Sequence, residues 1–129
     1  MNIITEMRKS IEALTSVKVA PQGHAFIPDE SDYIRIMLVS ETTFDTGLVR
    51  QSLVAGKYQI DFISRDFERT LEMEKAVWRA WQEVSHGYVG NYPVQYVDKG
   101  RVYQDFAEDE DGGFYRQMRE FTLYYSDAP

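Results

Sequence analysis

YQDFAEDEDGGFYRQMREFTLYY, residues Tyr103–Tyr125, is the stretch on which the fold turns. An aromatic run leads into five acidic side chains, Asp105, Glu108, Asp109, Glu110 and Asp111, and the pair Gly112-Gly113 follows. Two aromatic and β-branched runs on either side of a polar, glycine-ended loop read as the strands of a hairpin. In its closing part Phe121, Leu123 and Tyr125 fall on one face, with Thr122 and Tyr124 on the other. That two-residue period is the mark of a strand with one buried face.

Working back along the chain, Val94–Val97 and Arg101–Phe106 are strand-like, with Asp98-Lys99-Gly100 between them as a tight turn or a bulge. Ser85–Pro93 (SHGYVGNYP) reads as a turn-rich connection. Before it, Asp66 is placed to cap a helix over Phe67–Val84. Phe67, Leu71, Trp78 and Trp81 form its apolar stripe, broadened by Ala76, Val77, Ala80 and Val84. Glu68, Glu72 and Glu74 come early and Lys75 and Arg79 later, as the helix dipole favours. The tryptophans are read as side chains covering a sheet in preference to a ligand cage.

Gln51–Ser64 is expected as strand, with Tyr58, Ile60 and Phe62 on one face and Gln59, Asp61 and Ile63 on the other. Tyr33–Ser40 (YIRIMLVS) is almost continuously apolar and is expected as a central strand covered on both faces. Its one charge, Arg35, requires a carboxylate partner or a strand end. Between these strands, Glu41–Val49 reads as a partner-binding arm or as a surface loop. Upstream, Val17–Val19 is a short strand candidate, Pro21-Gln22-Gly23 a turn, and Pro28–Asp32 an exposed polar run. Asn2 is placed to cap a first helix, Ile3–Thr15, whose Ile3, Met7, Ile11 and Leu14 share one face.

The pattern predicts an α+β fold, an α/β sandwich. Its sheet is mixed, mostly antiparallel and four- to six-stranded, with two helices packed on one face. Residues 1–129 are expected to form a single domain.

Composition narrows the function classes. There is no cysteine, so disulfide and thiolate chemistry are absent. Met1–Leu14 has no signal-peptide pattern and no apolar run is long enough to span a membrane, so a soluble, intracellular protein is expected. The net charge of −7 opposes a sequence-independent grip on nucleic acid. Residues 101–129 hold seven acidic and three basic side chains, a net −4, against fourteen and eleven, a net −3, in the first hundred. Nine tyrosines suit half-buried sheet faces and protein interfaces.

Catalytic signatures are lacking. His24 and His86 have no paired-ligand spacing, and no GxSxG, GxGxxG or GxxxxGK[ST] motif occurs. An EF-hand counted from Asp109 places Phe114 where glycine is required and brings in Arg116 and Arg119. No metal and no cofactor are therefore expected. The acidic cluster reads as a solvated hairpin tip or as a docking or channel-lining loop.

Tyr103, Asp109-Glu110-Asp111, Gly113-Phe114 and the terminal REFTLYY (Arg119–Tyr125) resemble the end of tail terminator proteins of long-tailed bacteriophages, the lambda-type family. The first helix, PDESDYIRIMLV (Pro28–Val39), the polar arm, KYQIDFIS (Lys57–Ser64) and the helix after Asp66 follow in the same order. The resemblance implies a non-enzymatic virion protein that forms a hexameric ring on the last ring of tail-tube protein. Such a ring stops polymerisation, joins a head completion or connector protein, and lets DNA through its lumen without specific binding. Assembly in the host cytoplasm and no membrane contact are implied. On this reading the arm residues Phe44, Asp45 and Leu48 touch a neighbouring subunit or the tube. Asp109, Glu110 and Asp111 line the lumen or dock on the next protein. Another head–tail connector or neck protein, or a small non-viral α+β ligand-binding domain using Trp78 and Trp81, are the alternatives.

Overall fold

A computed structural model describes residues 2–20, 32–44, 53–108 and 112–126. The first helix, α1 (Ile3–Thr15), starts where Asn2 Oδ1 accepts the Ile4 N–H at 2.8 Å. Such a cap satisfies an amide that the first turn leaves without a partner. It stops at Ser16, whose left-handed φ of 59° ends the helical path. Ile3, Met7 and Ile11 are buried as expected, but Leu14 is exposed and Thr15 takes the fourth inward position. Thr15 manages this by donating its hydroxyl to the Ile11 carbonyl at 2.7 Å.

A two-residue strand, β1 (Val19–Ala20), follows, then β2 (Asp32–Thr43), β3 (Leu53–Ser64), helix α2 (Phe67–Trp81), β4 (Ser85–Val89), β5 (Tyr92–Ala107) and β6 (Phe114–Ser126). They form one six-stranded sheet in the order β1-β2-β3-β6-β5-β4. β1 and β2 run parallel and every other pair is antiparallel. This is the mixed, mostly antiparallel α+β arrangement read from the sequence. The late hairpin is there, with Tyr103 opposite Met118 and Ala107 opposite Phe114.

Both helices lie on one face. Met7 and Ile11 of α1 and Met73, Val77 and Trp81 of α2 share a single core with Ile34, Ile36, Tyr58, Ile60, Phe62, Phe121, Leu123 and Tyr125. Each large apolar side chain buried in this way contributes on the order of 1.5–3 kcal/mol.

Three expectations need correction. Tyr33–Ser40 is not a central strand covered on both faces. β2 lies next to the edge, and from Met37 onward it is exposed on both faces, Leu38 included, because it runs out beyond the core that buries Ile34 and Ile36. Glu41–Thr43 is strand rather than loop, paired with Gly56, Ala55 and Val54, so any arm starts later. Ser85–Pro93 is a β-hairpin, with Val89 opposite Tyr92 across a turn that Gly90 makes at φ 60°. Of the two readings of Asp98-Lys99-Gly100, a turn or a bulge, the bulge holds: it lies within one long β5, since Lys99 pairs with Phe121 and Val102 already with Arg119.

Helix α2 also ends at Trp81, before the expected Val84, and buries Thr70, Met73, Glu74, Val77 and Trp81. The stripe is therefore rotated from the one expected, and Phe67 is exposed. Polar Thr70 and Glu74 face inward because both are satisfied there, Thr70 by donating its hydroxyl to the Phe67 carbonyl of its own helix at 2.7 Å. Glu74 takes hydrogen bonds from Gln117 Nε2 at 2.6 Å and Arg119 Nε at 2.5 Å.

Candidate functional site

Because side chains alternate across a strand, the sheet has a second face on which neither helix lies. Its residues follow from the register: Tyr33, Arg35 and Met37 of β2, Gln59, Asp61 and Ile63 of β3, Arg116, Met118 and Glu120 of β6, and Tyr103 and Asp105 of β5. This face carries charge where the other carries hydrocarbon.

The charges are arranged in cross-strand pairs. Arg35 stands opposite Asp61 and donates Nη2 to its Oδ2 at 2.7 Å. Gln59, two residues away on the same face, donates to the other carboxylate oxygen at 3.0 Å. Both oxygens of Asp61, fully buried, are thereby satisfied, as a buried carboxylate requires. The Arg35 requirement read from the sequence is met by a carboxylate. One strand pair further on, Arg116 forks onto Asp105, Nε to Oδ1 at 2.9 Å and Nη2 to Oδ2. The hydrogen bonds to Asp105 push the Arg116 guanidinium further up than usual.

Around these pairs lie uncharged groups suited to contact. Tyr103 is 58% exposed, Met37 is exposed, and Tyr96 is exposed beside Tyr124 at a ring separation of 6.1 Å. A hollow of about 380 Å³ at the β5 bulge is lined by Gln59, Arg101, Tyr103, Met118 and Glu120. A second hollow of about 230 Å³ lies between Tyr33, Arg35, Asp105, Phe114 and Arg116. Each arginine there already holds a carboxylate, so the hollow offers no net positive charge to an anion. Tyrosine, methionine and paired arginine are the composition of the core of a protein–protein interface.

Of the site residues read from the sequence, Phe44 is described. It closes the β2–β3 ladder, its N–H donating to the Leu53 carbonyl at 3.0 Å, and its side chain is 41% exposed. Asp45, Leu48, Asp109, Glu110 and Asp111 lie outside the described residues. The base of the acidic loop is described. Gly113, at φ 131°, lies so close to Phe106 that a Cβ would stand 2.6 Å from its ring.

The tryptophans are spent on packing. Trp81 is buried, donates Nε1 to Ser10 Oγ at 3.1 Å and meets Phe121 edge-on at 5.4 Å. Trp78 leans on the same Phe121 at 6.0 Å, with Lys99 over its ring at 5.1 Å. His86 sits exposed on β4 at φ 50°. Among the described residues no three His, Cys, Asp or Glu side chains converge as a metal site would need, and no helix is long and apolar enough to cross a membrane.

The helix-free face follows from placing both helices on one side, but its residues were not singled out as a site, although their signal was present. The strand positions that alternate with the core residues, Gln59, Asp61, Arg116 and Met118, are polar or flexible. Two helices confined to one face leave that side without a helix layer, although Tyr33, Asp61 and Ile63 on it are buried.

Fold and surface define an α+β chain with a polar sheet face on which neither helix lies. No family model matches it, and neither does any curated protein. Among solved structures it is similar to a chain in the virion of a native gene transfer agent particle, 15% identical, covering 96% of this chain and 91% of that one at a TM-score of 0.60. At that identity the likeness is one of fold. A second solved chain is 14% identical over 98% of this chain and 93% of its own at a TM-score of 0.45, and carries no argument.

Proposed function

We propose that this chain is a structural protein of a phage-like virion, and within that class a tail terminator. Residues 1–129 act as one ring-forming domain. A hexameric ring of copies sits on the last ring of tail-tube protein at the head-proximal end of the tail. It stops tube growth and presents the surface that the head completion protein meets. DNA crosses the lumen without being held, since acidic walls repel phosphates. The role requires no turnover, cofactor or membrane.

The observation that carries the proposal is the fold shared over nearly the whole of both chains with a component of a gene transfer agent virion. The Tyr103–Tyr125 resemblance supports the finer assignment, and so does the tyrosine-rich face. The test is negative-stain microscopy of the purified chain, alone and mixed with tail-tube protein. Six-fold rings that cap tubes are expected. Binding to the portal side with no capping of tubes would assign the chain to the neck instead. A strictly monomeric protein that ignores both components would sink the virion reading.

A further inference from the structure

The two sides of the sheet end on unpaired strand edges. β1 covers the outer edge of β2 at Ile34 and Arg35, so from Ile36 to Thr43 that edge has no partner among the described residues. β4 covers the outer edge of β5 as far as Tyr96, so from Val97 to Ala107 it too is unpaired among them. Long free edges invite pairing with another chain, and proteins that stay monomeric blunt them. Here they carry exposed apolar side chains instead, Met37, Leu38 and Val39 on β2 and Val102, Tyr103 and Phe106 on β5.

We propose that the β2 edge of one copy pairs with the β5 edge of a second copy, head to tail, continuing one antiparallel sheet across the junction. Direction favours it. β2 opposes β3, β3 opposes β6 and β6 opposes β5, so β2 and β5 run in opposite senses. A rotation about an axis along the strands keeps those senses and presents the two edges as antiparallel neighbours. Length favours it as well. To clear β1, the incoming β5 must end at or beyond Ile36, and because facing residues share a sheet face, Ala107, on the helix-free face with Asp105, stands opposite Met37. Seven residues of β2, Met37–Thr43, then face six of β5, Val102–Ala107, the bulge between Leu38 and Ser40 taking up the extra one, and the pairing stops short of β4 at Tyr96. Such a stagger is what a sheet closing on itself requires.

Because the two edges differ, the contact is heterologous and builds rings rather than two-fold dimers. The contact supplies the subunit junction of the ring proposed above and rests on that reading for its setting.

The chain contains no cysteine, which makes crosslinking clean. Thr42 and Tyr103, opposite each other in this register and both exposed, are replaced separately as Thr42→Cys and Tyr103→Cys. Glu41→Cys and Gln104→Cys form a second pair, and circular dichroism checks each fold. Under mild oxidation, an equal mixture of the two partners is expected to give a covalent dimer, and each variant alone none. A chain with both changes is expected to give a ladder that stops at ring size. Self-linking of single variants as strong as in the mixture, or no link from either pair, overturns the proposal. Rings seen by microscopy without the link would remove this junction and leave the tail terminator reading standing. Linked copies that cap no tube would do the reverse.

Discussion

Tyr58 and Tyr125 bring their phenolic oxygens to 3.2 Å of each other across the β3–β6 pair, closing over Gly56. A Cβ at Gly56 would lie 2.8 Å from the Tyr58 ring and 3.0 Å from that of Tyr125. Both tyrosines are buried, and burial pushes their hydroxyls up from the ordinary value, so neither ring turns to water cheaply. Gly56→Ala is therefore expected to cost about 1–3 kcal/mol through overpacking. Thermal denaturation followed by circular dichroism measures it. An unchanged midpoint would mean that the ring pair moves apart freely.

Glu74 ties α2 to the far end of the sheet by accepting from Gln117 and Arg119, while Arg119 also donates to the Gly100 carbonyl at 2.9 Å. Glu74→Ala leaves a largely buried guanidinium without its carboxylate. The expected cost is about 3 kcal/mol, in the range for breaking a buried pair by one partner. Arg119→Met in the same chain should recover part of that loss. A double-mutant cycle from urea unfolding midpoints reads the coupling, and additive losses would show that the two do not act together.

These two clusters also show where the sequence was legible. The Ile3–Thr15 helix was readable to the residue, since Asn2 is a cap and the apolar spacing is helical. The alternation of Phe121, Leu123 and Tyr125 gave the last strand and its inward face. Glu74 gave no such signal. A carboxylate on a helix looks like solvent-facing charge until Gln117 and Arg119, more than forty residues away, are brought beneath it. β4 was missed for a related reason. Ser85-His86-Gly87 has no apolar alternation, and only pairing with Tyr92–Tyr96 makes it a strand. Apolar runs likewise say that a strand is buried but not by how many layers, so β2 was placed too deep.

Acid should loosen the junction between α1 and the β4–β5 turn. Glu6 is held below its ordinary 4.5, first by the hydrogen bond its Oε1 accepts from the Asn91 N–H at 2.9 Å, and further by Lys9. A carboxyl whose folded value is depressed adds stability above 4.5, and that contribution disappears as pH falls through the folded value. Glu6→Gln is expected to lower the melting temperature near neutrality and to flatten its fall below pH 4.5. Parallel melting curves in acid for the variant and the parent would show that Glu6 does not supply the slope.

The acidic loop can be tested apart from the fold. Asp109→Asn, Glu110→Gln and Asp111→Asn together remove three negative charges from a segment that follows an exposed Glu108. Ring formation and tube capping are expected to survive, whereas joining to heads, counted as complete particles by microscopy, is expected to fall. Unchanged yields of complete particles would return the loop to a solvated hairpin tip.

Phe44 offers a sharper separation of assembly from stability. Its ring is exposed at the end of the β2–β3 ladder, so it pays the hydration cost of an apolar surface without filling the core. If it anchors the segment that reaches a neighbour, Phe44→Ser should leave the melting temperature nearly unchanged, within about 0.5 kcal/mol. Self-association should weaken by about tenfold, on the order of 1.4 kcal/mol. Sedimentation over a concentration series measures the second quantity and thermal melting the first. Loss of stability with association intact would place Phe44 in its own subunit's packing and exclude it from the interface.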